Sequence, residues 1–404
     1  MEAVTGKVRQ DARATALTSH VVDSDDELLA IRADWDQLQA SAEPVGPFTS
    51  WAWVWHWWRI CGDTRDRLHV LVFRDSEGLL RGALPLVLTT WGRGPLSFRA
   101  LRMYGWDAIE LREPVVAVGW EHAVADSLSQ FLSANEHQYD WCMVRGIPRT
   151  GPLATWLRSS ADEYEGTVYH VVDLPSSWEE LRARLKRSMK KTLGHSYNTL
   201  RREGRAYSFE VVDDPSRMPA ALDDFFRLHA ARASVCSNAV AHPNHYRTEQ
   251  RRQLLRSVAA DLPHSSRLLV CRLHVDGNLV ACRLAFPVGK TLYLYDSGFD
   301  PAWWWYGVPT TATAECMKMA ITSGFHSVNL STGTDYSKTR WRPEARSLAS
   351  WGIVAPSARA RLYVGLAVET LRMRDAAGRY WRELVTRGRS AAGRQRYSPA
   401  NSGG

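Results

Sequence analysis

The chain has 404 residues, a formal net charge of +8, 45% hydrophobic residues and 23% charged ones. These are the proportions of a soluble globular protein, long enough for two ordinary domains or for one domain type used twice. No run approaches the roughly 18 apolar residues of a membrane span, and the N-terminus lacks the apolar core of a signal peptide, so no membrane span and a cytoplasmic location are expected.

In chain order, residues 1–20 lack hydrophobic periodicity and are expected to be mobile. Asp26–Ala40 and Ser50–Cys61 read as helices, the second carrying Trp51, Trp55 and Trp58 on one face and Trp53 and Trp57 on another. Core packing explains the first row; the second implies a further surface, either another half-domain or a long acyl chain. Leu68–Leu88 reads as two strands joined by a Ser-Glu-Gly turn, followed by an irregular stretch to about Gly119. A helix over Glu121–Asn135 and a strand over Tyr139–Ile147 close the first half.

The second half repeats that order. One helix is expected over Trp178–Glu203, with Ser177 and Glu180 at capping-box spacing and Gly204 as its stop. Its apolar face runs Trp178, Leu181, Leu185, Met189, Leu193, Tyr197 and Leu200, and its other face is basic, from Arg182 to Arg202. That face is either a solvated surface or an anion-steering one. Helices over Pro219–Ala233 and near His245–Ala260 follow. Next comes a meander turning at Asp276-Gly277 and at Gly289-Lys290, then a helix over Pro309–Ser323 and a strand over His326–Ser331. From about Arg387 the chain is rich in Arg, Ser and Gly and lacks periodicity. The expected division is a mobile segment at 1–20, halves at 21–175 and 176–385, and a mobile basic tail at 386–404.

Six cysteines (Cys61, Cys142, Cys236, Cys271, Cys282, Cys316) form no C-x-x-C pair, so neither a zinc site nor a disulfide framework is indicated and no metal is expected. The positive charge admits an anionic partner: a phosphorylated cofactor, an acidic carrier protein or RNA.

The segment Tyr293–Phe325 combines strand, glycine-containing loop and helix, with Trp303, Trp304, Trp305 and Tyr306 directly before Gly307. Amides at a helix N-terminus carry partial positive charge, so the backbone of Tyr306, Gly307 and Val308 is a candidate pyrophosphate cradle. The loop matches neither GxGxxG nor GxxxxGK[ST].

Taken together, "FFRLHAARA", "LLVCRLHVDGNLVACRLAF", the segment from Leu292 to Trp341 and the N-terminal "WDQLQASAEPVGPFTSWAWVWHWW" resemble the CelD-like acyltransferases of the GNAT superfamily, a family related to the Fem-type aminoacyltransferases. The likeness runs from about Trp35 to Trp341. It implies a mixed α/β fold of two tandem GNAT-like units, each a mainly antiparallel sheet flanked by helices, the first degenerate. It also implies acyl transfer from acyl-CoA (acetyl or longer) or from an acyl carrier protein to an amine of a small molecule, peptide or saccharide precursor. The usual phosphate-loop pattern Q/R-x-x-G-x-G/A is reduced here to the single glycine of "WWWYGVP". Transfer from aminoacyl-tRNA, as in the Fem enzymes, and non-catalytic binding of RNA or an acidic partner are the alternatives.

Such transfer needs a held donor, a positioned amine, a base and oxyanion donors. His229, on the inward face of its helix and in the family's Leu-His pair, is either a base or a core histidine. Asp296, at a strand end, is the other candidate base, and Tyr336 is the resemblance's proton donor to the leaving thiolate. Thr310 and Lys338 join Tyr306, Gly307 and Val308 as donor-binding candidates. Arg232, Tyr295, Asp300 and Trp303 are the acceptor-binding candidates.

Overall fold

The computed structural model describes residues 16–94, 97–105, 109–234 and 243–370. Cys236 and the expected mobile tail at 386–404 lie outside them.

The strands are β1 (Thr18–Val22), β2 (Asp66–Arg74), β3 (Leu80–Trp91), β4 (Phe98–Met103), β5 (Val115–Val116), β6 (Trp141–Pro148), β7 (Asp162–Asp173), β8 (Tyr207–Val212), β9 (Leu269–Val275), β10 (Asn278–Val288), β11 (Thr291–Phe299), β12 (Ser327–Thr332) and β13 (Glu344–Val354). The helices are α1 (Asp25–Ala30), α2 (Arg32–Ser41), α3 (Trp51–Cys61), α4 (Glu121–Ala134), α5 (Pro152–Ser160), α6 (Trp178–Arg184), α7 (Arg187–Arg202), α8 (Met218–Ala233), α9 (Glu249–Asp261), α10 (Val308–Thr322) and α11 (Tyr336–Thr339). The strand β1 begins inside the stretch expected to be mobile, pairing Thr18 to Val22 with Arg74 to Val70.

Among the described residues all strands join one sheet in the order β1-β2-β3-β4-β6-β13-β7-β12-β11-β10-β9-β8, with β5 beside β3. The order contains a repeat. Strands β1–β4 and β8–β11 are antiparallel meanders, and each is followed by a helix, α4 or α10, and by a strand parallel to the meander's last member. The final strand of each half then crosses over. The strand after β6, β7, pairs with β12, while the strand after β12, β13, pairs with β6, and the two exchanged strands pair with each other at the centre. The halves thus share a continuous sheet, a mixed α/β, mostly antiparallel fold flanked by helices.

One cluster of buried side chains spans both halves on the face that carries α3 and α8. Trp51, Trp53 and Trp57 are all buried in it, so both aromatic faces of α3 are covered. The cover for the second face is protein: Trp53 meets Phe286 and Tyr295 of the second half edge-on at 6.2 and 6.3 Å.

The single helix expected over Trp178–Glu203 is two helices, broken where Leu185 and Lys186 are extended. Arg342 Nη1 donates to the Arg184 carbonyl at 2.9 Å, and the Leu185 amide closes on Arg182 O. Leu181, Leu185 and Met189 stay buried on both sides of the break, which is why the periodicity conceals it. Among the described residues no helix is long and apolar enough to cross a membrane.

Candidate active site

The parallel pairing of β11 with β12 runs only from Thr291↔Ser327 to Tyr293↔Asn329. Beyond that the two strands part, and each carries an irregularity in register. On β11, Ala285 faces Leu294 and Arg283 faces Ser297, so Tyr295 and Asp296 together oppose Leu284. Such a bulge re-aims a side chain, and here Asp296 meets His245 and lies near His229 of α8. On β12 the register slips between Asn329 and Thr332. Ser331 there has φ 70°, a conformation uncommon for a residue with a side chain, and its hydroxyl donates to Glu110 Oε1 and Oε2 at 2.8 and 2.6 Å.

His245, just before α9, has Nδ1 3.1 Å from Asp296 Oδ2, and the Ser297 amide donates to Asp296 Oδ1 at 3.1 Å. Burial would raise the Asp296 pKa, but the bond from His245 and the His229, His245 and Arg232 charges prevail and bring it down to about 2. The bond to Asp296 raises the His245 pKa against desolvation, helped by the charges of Asp296 and Glu110. His245 keeps 27% of its side chain exposed, where His229 keeps 2%.

His229 is held otherwise. Its Nδ1 donates to the Ser297 carbonyl at 3.0 Å, and its Nε2 accepts the His245 amide at 3.3 Å. Both ring nitrogens are in use in the neutral ring, and desolvation lowers its pKa. His229 thus holds the Ser297 carbonyl on one side and the loop bearing His245 on the other. Ligand-capable atoms of His229, His245 and Asp296 lie within 4.8 Å of one another, but the bonds just described occupy the His229 nitrogens and tie His245 to Asp296, so the cluster is bonded to itself.

Arg232, one turn beyond His229, donates to the Ser297 carbonyl at 3.0 Å and to its hydroxyl at 2.8 Å. Tyr295 is buried against Phe48, Trp53 and Phe286, at the seam between the halves. Among the candidates from sequence, then, His229, Arg232, Tyr295 and Asp296 converge. His245 and Glu110 join them unannounced. Glu110 comes from the first half, between β4 and β5, and also accepts from Tyr293 Oη. Burial raises its pKa, opposed by the bonds from Ser331 and Tyr293 and by the Lys338 charge.

The other candidates lie around this centre. Tyr336, on α11, is 69% exposed. The Lys338 ammonium bonds the Thr332 carbonyl at the end of β12 and approaches Asp335 at 3.4 Å. Asp300 caps the short 3-10 turn Pro301–Tyr306 by accepting from the Ala302 amide at 2.9 Å. Within that turn Trp304 and Trp305 are 65% and 72% exposed, which excludes core filling for those two. Trp303 packs on Tyr306 at 5.3 Å with Arg205 over both rings. Val308 is buried, and Thr310 Oγ1 accepts from Arg340 Nη2 at 2.8 Å. Arg182, Arg184, Arg187, Lys191, Arg201 and Arg202 are exposed on α6 and α7, and α7 carries no acidic residue. Trp305 reaches that face, edge-on to His195 at 6.1 Å.

Gly307 has φ 66° and ψ 27°, the left-handed conformation that a tight entry to α10 requires. A Cβ there would overlap Ser196 Oγ of α7 and lie 3.2 Å from its Cβ. Gly307→Val should therefore cost about 1–3 kcal/mol of stability through backbone strain and crowding against α7, read as a lower melting temperature. An unchanged melting temperature with weakened donor binding would instead point to direct contact with the donor.

Residues 187–339 match the family model described as an acetyltransferase (GNAT) domain. Among solved structures the chain is similar to FemX, at 9% identity and a TM-score of 0.57 over 80% of this chain and 96% of that one. It is also similar to a conserved protein of unknown function from Bacteroides thetaiotaomicron, at 14% identity and a TM-score of 0.51 over 83% of this chain and all of that one. A tandem GNAT protein from the clavulanic acid biosynthesis pathway aligns at 12% identity and a TM-score of 0.42 over 85% of this chain and 99% of that one. No curated protein sequence matches the chain. At these identities the likeness to FemX and to the Bacteroides thetaiotaomicron protein speaks to the fold alone, and residues 187–339 are similar to an acetyltransferase (GNAT) domain.

Proposed function

We propose that the chain moves an acyl group from a CoA or carrier-protein thioester to an amine, with His245 as the base and Asp296 as its partner. The observation that carries this reading is the parting of β11 and β12 beside the His245–Asp296 pair, inside the stretch that matches the acetyltransferase model. Parted parallel strands leave backbone groups without sheet partners, and a bound thioester can supply them. The first turn of α10 and the basic face of α7 suit the donor's phosphates.

With Nδ1 tied to Asp296, Nε2 is the basic atom of His245. It takes a proton from the acceptor ammonium, and the freed lone pair attacks the thioester carbonyl carbon. The new C–N bond places negative charge on oxygen, which amides of the parted strand edges stabilise. Collapse breaks the C–S bond, the thiolate recovers the proton from the imidazolium, and the amide nitrogen releases its remaining extra proton to water. The products are an amide and a thiol. The exposed Tyr336 is not needed for that return. Such general acid–base assistance contributes about 10²–10⁴-fold.

A second reading, transfer from aminoacyl-tRNA, draws on Trp304 and Trp305 beside a basic helix without acidic residues, since bases stack on exposed aromatics and phosphates seek cations. Thermal shift separates the two. A ligand at 100 times its Kd that binds only the folded state adds about 2.7 kcal/mol. Acetyl-CoA or a longer acyl-CoA should raise the melting temperature, and mass spectrometry should find acylated amine. A shift with aminoacyl-tRNA and none with acyl-CoA moves the donor to the second reading. No shift and no acyl product with any donor overturns both.

A further inference from the structure

Exposed cations and exposed tryptophans meet on one surface beside the start of α10. Arg187, Lys191, His195 and Arg202 follow one another at steps of four, four and seven along α7, so they share one exposed stripe. It runs the length of the helix, about 24 Å for its 16 residues. Among the described residues neither the Arg187 nor the Lys191 side chain makes a hydrogen bond or an ion pair. Trp305 stands edge-on to His195 in that stripe, and Trp304 leans on Phe299 at 5.4 Å. Of the tryptophans among the described residues, only these two are exposed.

We propose that this surface docks a small acidic carrier protein, which presents the acyl group as a thioester on its phosphopantetheine arm. The inference rests on the acyl-transfer reading and chooses between its two donors, the carrier-borne thioester over free acyl-CoA. The first observation that carries it is how little the start of α10 offers a pyrophosphate. Pro309 has no N–H, the Thr310 and Thr311 amides close on Gly307 O at 2.9 and 3.1 Å, and the Gly307 amide closes on Trp304 O at 3.0 Å. The bare side of Gly307, where a ligand could come close to the backbone, is filled by Ser196 of α7. Of these amides at most that of Val308 is left. One donor serves the single phosphodiester of a carrier's arm, whereas CoA brings a pyrophosphate and a further phosphate on its ribose.

The second observation is the surface itself. Arginine and tryptophan are the side chains that anchor protein–protein contacts, and a line of cations steers an acidic partner into register. The third separates a carrier protein from RNA. Asp300 belongs to the tryptophan turn, and Glu203 accepts from Tyr306 Oη of that turn at 2.6 Å. RNA stacked on Trp304 and Trp305 would bring its phosphates toward those carboxylates, while a folded carrier meets the tryptophans with apolar surface and the stripe with its acids.

The test is calorimetric titration of the full chain with three donors: acetyl-phosphopantetheine, acetyl-CoA and a bacterial acyl carrier protein loaded with the acetyl group. The two small donors should bind within about threefold of each other, and the carrier-borne donor about 10- to 100-fold more tightly at low salt. That advantage should fall as salt is raised. Trp305→Ala, and Arg187→Glu combined with Lys191→Glu, should each cost the carrier-borne donor at least about tenfold more affinity than they cost acetyl-CoA. Unchanged melting temperatures show that these variants fold. Three results overturn the inference and leave acyl transfer from CoA standing: acetyl-CoA binding over about tenfold more tightly than acetyl-phosphopantetheine, a carrier-borne donor no tighter than the small ones, or variants that weaken all donors alike. A tRNA that binds where the carrier protein does not, and is lost in the same variants, overturns it in favour of RNA. If none of the three donors binds, the acyl-transfer reading fails as well.

Discussion

His245→Ala should slow acyl transfer by about 10²- to 10⁴-fold while leaving donor affinity nearly unchanged, because the loss falls on proton removal in the transition state. The side chain is partly exposed and makes one bond, to Asp296, so its removal leaves little packing to lose. The pH profile gives a second readout. A base must be unprotonated, so turnover should rise with pH through a pKa that the bond to Asp296 holds above the ordinary 6.5. Asp296→Asn removes that bond and should move the rising limb to lower pH while reducing the maximal rate. The same pair affects stability with opposite sign. A raised histidine pKa contributes stability that is fully present below 6.5 and lost as pH climbs through the folded-state value. The active form is thus the one in which this contribution has faded. A His245→Ala variant with wild-type turnover, or an acid limb unmoved by Asp296→Asn, would return the proton transfer to another group.

Why His245 escapes a reading of the sequence is a matter of range. Its partner lies 51 residues away, and nothing periodic surrounds "PNHYR". The one local signal is position: a histidine and a tyrosine directly before the helix that starts at Glu249. Asp296 was legible as an acid in a strand, though not at its end, since β11 continues to Phe299, and the bulge that turns it toward His245 depends on pairing with β10. Glu110 carried a signal of another kind, a carboxylate between the buried Ile109 and Leu111 in a stretch without secondary-structure periodicity. Local turns were readable because they demand particular residues: Asp276-Gly277 has φ 50° and 77°, and Gly289 has φ 55°. The helices α8, α9 and α10 were readable from apolar spacing. The long strands β7 and β13 were not. "DEYEGTVYHVVD" and "EARSLASWGIV" pair chiefly with each other and with strands of the opposite half, and no local pattern encodes a partner nearly two hundred residues away. The repeat was visible as an order of elements, and the exchange that fuses the halves was not.

Gly298→Ala should cost about 3–6 kcal/mol of stability and abolish most activity in what remains folded. The glycine sits on β11 beneath α8, where an added Cβ would overlap the His229 amide nitrogen and lie 2.6 Å from the Leu228 carbonyl carbon and 2.9 Å from the Leu228 Cβ. Two of those three neighbours are helix backbone, which cannot rotate away, so α8 itself must withdraw. Overpacking of this kind costs about 1–3 kcal/mol or more. Withdrawal also lengthens three hydrogen bonds to Ser297, one from His229 and two from Arg232, each contributing about 0.5–1.5 kcal/mol. The backbone at Gly298 is not left-handed, unlike that of Gly307, so alanine adds no conformational strain and the loss measures close approach alone. The consequence for catalysis follows through His229, whose Nε2 accepts the His245 amide. As α8 moves, the loop that carries His245 loses its anchor, and a base displaced by about 1 Å forfeits on the order of 10²-fold in rate. Chemical denaturation gives the first quantity, and turnover per folded molecule, measured well below the melting temperature, gives the second. An alanine variant of native stability would mean that β11 and α8 are not in the contact on which the position of His245 depends.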